Sequence, residues 1–380
     1  MNPPRKPPFP ATPEDHLICR VLRGEAAPWP DTDDPGLAQR FLDTSCREGL
    51  GPLLHHHLRL TPHWDSWPAA VREKLAGEAR MQAAVDMLRE GELVTALTAL
   101  ANIGVEALLL KGAALAYTHY PQPALRSRCD NDILISPAHR EAATATLEAL
   151  GYRRPNAVSG AHVSYQDCFQ KRTGQVDHVI DLHWQVNNGQ VFAQALTLDE
   201  LRERSIPIQQ LCAVARTLDP PHALLFACMH RAGHLGVDGP EGERLIWLYD
   251  IHLLASALSP PQWSEFASQC AAKNMRRISA DALACAQRAF ATPLPSDIVA
   301  RLEEQPAPEL SAKYLAADRR TVFRIDLEAL PTWKDRIALV RELLLPPADY
   351  VLEKYGARSR WLLPWWYLRR AVEGARKLAR

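Results

Sequence analysis

The sequence has no surplus of either charge: Lys and Arg total 44, Asp and Glu total 44, and the formal net charge is zero. That excludes a uniformly basic coat for nucleic acid and leaves only local patches. Nowhere does the chain run to the roughly 18–20 consecutive apolar residues that a bilayer-spanning helix needs. Its opening, Met1-Asn2-Pro3-Pro4-Arg5-Lys6-Pro7-Pro8, lacks the apolar stretch of a secretory signal. The eight cysteines (19, 46, 129, 168, 212, 228, 270 and 285) never form Cys-x-x-Cys. That argues against a zinc ribbon or a disulfide scaffold and suits buried thiols in a reducing compartment, so the expected location is cytoplasmic. What is present is ordinary globular composition, 47% hydrophobic and 23% charged over 380 residues. Wholesale disorder and a collagen-like repeat are excluded, and the length suggests two or three modules or one elaborated core.

Thirty prolines punctuate the chain. The Pro-rich residues 1–13 are expected to form a flexible arm. From 14 to 103 the pattern is helical; Met81, Ala84, Val85, Leu88, Leu93 and Leu97 fall near helical spacing until Asn102-Ile103-Gly104 stops the run. The texture then changes. An apolar strand at 105–110 enters Lys111-Gly112 and a helix at 113–120. A second strand follows at 129–135, Ser136-Pro137 opens a helix that closes near Gly151, and a third strand spans 176–186. This succession predicts a compact α/β or α+β core over 104–215. The rest, 216–380, is helical again.

Three segments carry chemistry. In Arg126-Ser127-Arg128-Cys129-Asp130-Asn131-Asp132, strand alternation puts Asp130 and Asp132 on one face and Asn131, Ile133 and Ile135 on the other. Two such carboxylates repel and persist most naturally around a divalent cation, although Asp-Asn-Asp also reads as loop chemistry. In Ile180-Asp181-Leu182-His183-Trp184, Asp181 is a third carboxylate on a half-buried strand, and His183 shares its face. His183 is thereby aimed at the carboxylates, a metal, an acceptor or a phosphate. In Leu110-Lys111-Gly112-Ala113, a strand runs through glycine into a helix, a turn whose free N–H groups suit a phosphate.

From about residue 85 to 185 these pieces together resemble the uncharacterised nucleotidyltransferases of the DNA polymerase β-like superfamily. The matching motifs are Lys111-Gly112-Ala113-Ala114-Leu115, Arg126 with Asp130 and Asp132, and Asp181-Leu182-His183-Trp184. Weaker likeness continues through 229–234, 247–250 and 345–356. The resemblance implies an α+β fold: a minimal polymerase β-like core, a small mixed sheet with helices, flanked by N- and C-terminal helical regions. It implies transfer of an NMP from an NTP to an acceptor, with release of pyrophosphate. Two Mg²⁺ (or Mn²⁺) ions about 3.5–4 Å apart serve such in-line displacements. Asp130 and Asp132 would bridge both ions, and Asp181 would hold the acceptor-side ion and help deprotonate the acceptor. Gly112 and Ala113 would offer N–H groups to the β- and γ-phosphates, His183 would contact the nucleotide, and Lys111 and Arg126 would offset charge on the leaving pyrophosphate. The family usually has Ser where this chain has Ala113, so contact there must come from backbone. It usually has an apolar residue where this chain has Asn131, which needs partners once buried.

The acceptor is open: a small molecule, a sugar phosphate, a peptide or a protein. No template nucleic acid is expected. Two other readings use the same residues: a degenerate protein that binds a nucleotide or partner without chemistry, and a metal-dependent hydrolase that adds His230 and His234. Those two histidines sit four apart on a helix, but without a following Glu they read better as packing near the cleft. His55-His56-His57 reads as surface. Finally, 351–380 holds eight Lys or Arg, two Glu and three Trp. The preferred reading is a closing helix with its tryptophans on the core; the alternative is a weak membrane-surface contact.

Overall fold

The computed structural model describes residues 10–158, 160–238, 242–304, 307–357 and 359–379. Most of the expected arm, 1–9, lies outside the described residues, and the first helix, Pro13–Leu22, starts where the arm is expected to end. A capping box on Thr12 and Asp15 opens that helix, with Pro13 at its first position.

The centre is one mixed sheet of six strands: β1 (Leu108–Leu109), β2 (Asn131–Leu134), β3 (Gln166–Thr173), β4 (Val176–His183), β5 (Ile206–Pro207) and β6 (Arg216–Thr217), in the order β3-β4-β2-β1-β6-β5. β2 runs parallel to β4 and antiparallel to β1, while β3 and β4 form a hairpin. The α+β expectation holds: the sheet is flanked by helices from both ends of the chain.

Alternation sorts the two faces. Leu109, Ile133, Ile135, Phe169, Ile180 and Leu182 point to one side and form a core with the helices Ala69–Asn102 and Arg140–Ala149. Leu108, Leu110 and Leu134 point to the other and join the larger core, which includes the helices Pro220–Asp238, Leu245–Ala257 and Arg276–Phe290. The carboxylates lie on this second face.

Four expectations need adjustment. The helical spacing seen from Met81 to Leu97 belongs to one helix that starts earlier, Ala69–Asn102, and Gly104 just past its end has φ +77°, as anticipated. β1 covers only two of the six residues expected to be strand, because Val105 still donates to the carbonyl of Leu100 at the helix end. β3, β5 and β6 were not anticipated. The tail also departs from the preferred reading, because Trp361 and Trp365 are exposed and Trp366 stacks on Tyr355 rather than on the core.

Candidate active site

The parallel register of β2 and β4 sets Asp132 directly beside Asp181. Two residues further along β4, His183 returns to the same face. Its ring Nε2 lies 2.8 Å from Asp132 Oδ1, and the Lys111 ammonium donates to that same oxygen at 2.6 Å. Gln166, on β3, donates to Asp181 Oδ2 at 3.1 Å. Ligand atoms of Asp132, Asp181 and His183 all lie within 4.8 Å of one another. Asp130 stands just before β2 and lines the same cleft, but it is not a member of this trio. Sequence reasoning grouped three aspartates; the close group is two aspartates and the histidine.

The charges in this site are only partly compensated. Burial alone would raise the Asp132 carboxyl, but the Lys111 charge and the His183 hydrogen bond overcome it and hold that group well below the usual carboxylate range. Asp181 and Asp130 go the other way. Burial raises both, and the Asp132 charge raises both further. Excess negative charge is thus held in a half-buried place, the condition that a divalent cation relieves. Carboxylate oxygens are the ligands that Mg²⁺ and Mn²⁺ prefer, and one imidazole is tolerated by Mn²⁺. His183 Nδ1 is buried without a hydrogen-bond partner among the described residues. The donor set fits such an ion.

The turn before the helix Lys111–Thr118 completes this edge. Lys111 adopts φ +51°, a left-handed conformation that costs a residue with a Cβ roughly 1–2 kcal/mol. Its ammonium is the one that reaches Asp132. First-turn N–H groups of a helix have no intrahelical partner, so this helix start presents donors to the cleft. Ala113 is buried in the smaller core, so only its backbone is available to a ligand.

Arg126 lies under the turn. A Cβ at Gly112 would come within 2.9 Å of Arg126 Cζ, which explains glycine there. The guanidinium is buried and forked onto Asp250, with Nη2 to Oδ2 at 2.7 Å and Nε to Oδ1 at 2.8 Å; Tyr120 donates to the same carboxylate at 2.8 Å. Asp250→Asn strands a buried cation and is expected to destabilise the fold by about 3–5 kcal/mol. Urea denaturation checks this, and an unchanged midpoint would contradict it.

The cleft encloses about 1020 Å³, near the upper end of the ~300–1,000 Å³ typical of small-ligand sites. Part of its wall is aromatic. His230, His234 and Trp247 meet ring to ring at 4.6–4.7 Å, and the Arg244 guanidinium lies 5.8 Å from the Trp247 ring. Burial, then the Lys111 charge, keeps His230 well below the ordinary imidazole range, so that ring is neutral. The two histidines border the cleft, as expected, and pack on Trp247 outside the Asp132 trio.

Other residues escaped the sequence reading. Arg128, ion-paired to Asp86 at 2.8 Å, donates to Asn131 Oδ1 at 3.4 Å, while Asn131 Nδ2 donates to the Val179 carbonyl at 3.5 Å. These long bonds are the partners that a buried Asn131 requires. Gln166 comes from a hairpin that the Gly174-Gln175 turn could have signalled, with Gly174 at φ +61°. The His55–His57 run is half-buried rather than surface, and Tyr249 Oη is 3.3 Å from His57 Nε2. All eight cysteines are free; Cys19, Cys228, Cys270 and Cys285 are buried, but Cys46 and Cys129 are exposed at the cleft.

A family model described as an uncharacterised nucleotidyltransferase matches residues 34–291, more than half of the chain. No curated protein and no solved structure matches the sequence.

Proposed function

The chain belongs to this uncharacterised nucleotidyltransferase family, and from that premise we propose that it moves an NMP from an NTP to an acceptor hydroxyl or phosphate. The acceptor oxygen attacks the α-phosphorus, the bond from that phosphorus to the bridging oxygen breaks, and pyrophosphate leaves with the electron pair. The observation that carries this reading is the register pairing of Asp132 with Asp181 beside a lysine at a helix start.

Asp132, Asp181 and His183 would hold the catalytic cation, with Asp130 at the cleft side. A bound Mg²⁺ or Mn²⁺ supplies charge neutralisation at the phosphate oxygens. Asp181, beside Asp132 across the β2–β4 register, takes the proton of the attacking hydroxyl. Lys111 exchanges its Asp132 partner for the triphosphate, adding positive charge where pyrophosphate departs. First-turn N–H groups of Gly112 and Ala113 receive phosphate oxygens, and Arg126, fixed by Asp250, supports that turn from below. The His230–His234–Trp247 wall, its rings set at angles to one another, offers an aromatic face on which a base would stack.

Thermal denaturation with each of four NTPs and Mg²⁺ or Mn²⁺ tests the binding half of this reading. At about 100 times its dissociation constant the matching nucleotide adds roughly 2.7 kcal/mol of stability. The effect of pH has a definite sign. Asp130 and Asp181 are raised in the folded state, so their contribution to stability is full below the unfolded carboxylate pKa and is lost as pH rises through the folded values. A cation restores what ionisation removes. The metal–NTP increment in Tm is therefore larger at neutral pH than in the carboxylate range. No shift with any nucleotide would contradict nucleotide binding.

A further inference from the structure

We propose that the C-terminal helices dock this protein in the plane of an anionic lipid bilayer. Among the described residues, nine of the fifteen exposed large hydrophobic side chains fall between 333 and 372. They lie on the helix Trp333–Leu344, on the turn just after it, on the turn Arg360–Leu362 and on the helix Leu363–Ala379. Trp333 is 75% exposed, Trp361 93% and Trp365 60%, with Ile337, Leu345 and Leu368 each more than half exposed. Five of them, Trp333, Ile337, Leu344, Leu345 and Leu368, line one groove, and monomeric proteins rarely show water such apolar surface without a use for it. Between the helices runs an open groove of about 790 Å³ that includes Leu327, Val340, Leu344 and Ala371.

The charge on this surface selects the occupant. Arg324, Arg336 and Arg341 rim the groove against one acidic residue, Glu328, which is itself paired with Lys313, and Arg336 stands 4.9 Å from the Trp333 ring. Among the described side chains after Val351, Lys354, Arg360, Arg369 and Arg370 stand against Glu353 and Glu373, and the sequence of 351–380 as a whole carries a net of +6. Tryptophan and leucine on one side with arginine beside them is the composition of a helix lying at a headgroup boundary. A second copy of the chain would bring this cationic tail against its own duplicate, whereas anionic headgroups complement it. No helix among the described residues is long and apolar enough to cross a membrane, so the contact lies on the surface.

The surface is also held in place. Glu342 accepts the backbone N–H groups of Ala161, His162 and Val163, and Asn156 donates to Glu353 at 2.8 Å. Tyr367 Oη donates to the Pro346 carbonyl at 2.8 Å. The tryptophans are thus presented by a braced pair of helices, independently of any nucleotide chemistry.

The test is flotation of the full chain with two kinds of vesicle, pure phosphatidylcholine and phosphatidylcholine containing one-third phosphatidylglycerol. The protein should float with the anionic vesicles, show blue-shifted tryptophan emission there, and be released by high salt. W361E/W365E, on exposed positions, should keep the wild-type melting curve and lose at least ~10-fold in vesicle affinity. R324E/R341E, at exposed positions on the groove rim, should abolish the preference for anionic lipid. Failure of the wild type to float, or equal flotation by W361E/W365E, overturns the proposal. So does a dimer in lipid-free solution that W361E/W365E dissociates, which would make this face a contact between copies.

Discussion

Asp132→Asn is expected to remove metal-dependent turnover by about 10³-fold or more, the upper range for deleting one preorganised electrostatic contact. The same change also lowers stability, against the simple view that removing one of several aspartates relieves repulsion. Asp132 is the partner of both Lys111, at 2.6 Å, and His183, at 2.8 Å. Its ionised form is favoured in the fold, so its contribution is present above the unfolded carboxylate pKa and disappears as pH falls through the lower folded value. Asparagine lacks that contribution, so its deficit is full at neutral pH and shrinks as the wild type loses the same contribution in acid. Lys111 is partly open to water, so the loss stays below that of a fully buried pair, about 1–3 kcal/mol. Asp130→Asn differs in sign: burial, then repulsion from Asp132 and Asp181, raises its carboxyl, so neutralising it leaves stability unchanged or slightly higher. Paired denaturation curves at neutral and acid pH separate the two. Equal stability of both variants would contradict the asymmetry, and normal turnover of Asp132→Asn would remove Asp132 from the chemistry.

Asp181→Ala should separate binding from transfer. Lys111, the helix start and Asp132 remain to hold a metal–triphosphate, so affinity for Mg²⁺–NTP should stay within about tenfold of wild type, roughly 1.4 kcal/mol. The proton of the attacking hydroxyl then loses its acceptor, an interaction realised mainly in the transition state, and transfer should fall at least ~10²-fold. Gln166 loses its partner on Asp181, but it sits at the cleft where water replaces it. Nucleotide titration followed by single-turnover transfer measures both quantities. If nucleotide binding collapses as completely as in Asp132→Ala, the division of roles fails; if transfer continues at the wild-type rate, Asp181 is structural.

The alternation of Asp130-Asn131-Asp132 and Asp181-Leu182-His183 was enough to assign faces, because a half-buried strand enforces a period of two. The turn at Lys111-Gly112 and the stop at Gly104 were also legible, since each depends on local backbone preference. The partners were not. Asp250 lies 124 residues beyond Arg126 in sequence, and nothing local in either stretch reports that they fork together. Trp247 reads as a core residue of an apolar helix until the helix carrying His230 and His234 is laid against it. Asp130 and Asp132 look equivalent in a strand, yet pairing begins at Asn131 and leaves Asp130 outside the ladder. The left-handed φ of Lys111 is invisible to propensity, which would have assigned that conformation to Gly112. At the tail, composition showed basic and aromatic residues together, but which tryptophans face water depends on how the last helices brace each other.

The most direct test of nucleotidyl transfer is one assay on the purified chain. It would be incubated with each NTP, Mg²⁺ or Mn²⁺ and a cell extract, with pyrophosphate followed and products weighed by mass spectrometry. The account predicts pyrophosphate release matched by one acceptor species heavier by a single NMP, and loss of both signals with Asp132→Asn. Free nucleoside diphosphate and phosphate with no labelled acceptor would mean hydrolysis. Bound nucleotide with no product of any kind would mean a binding protein, and either result would contradict the transferase.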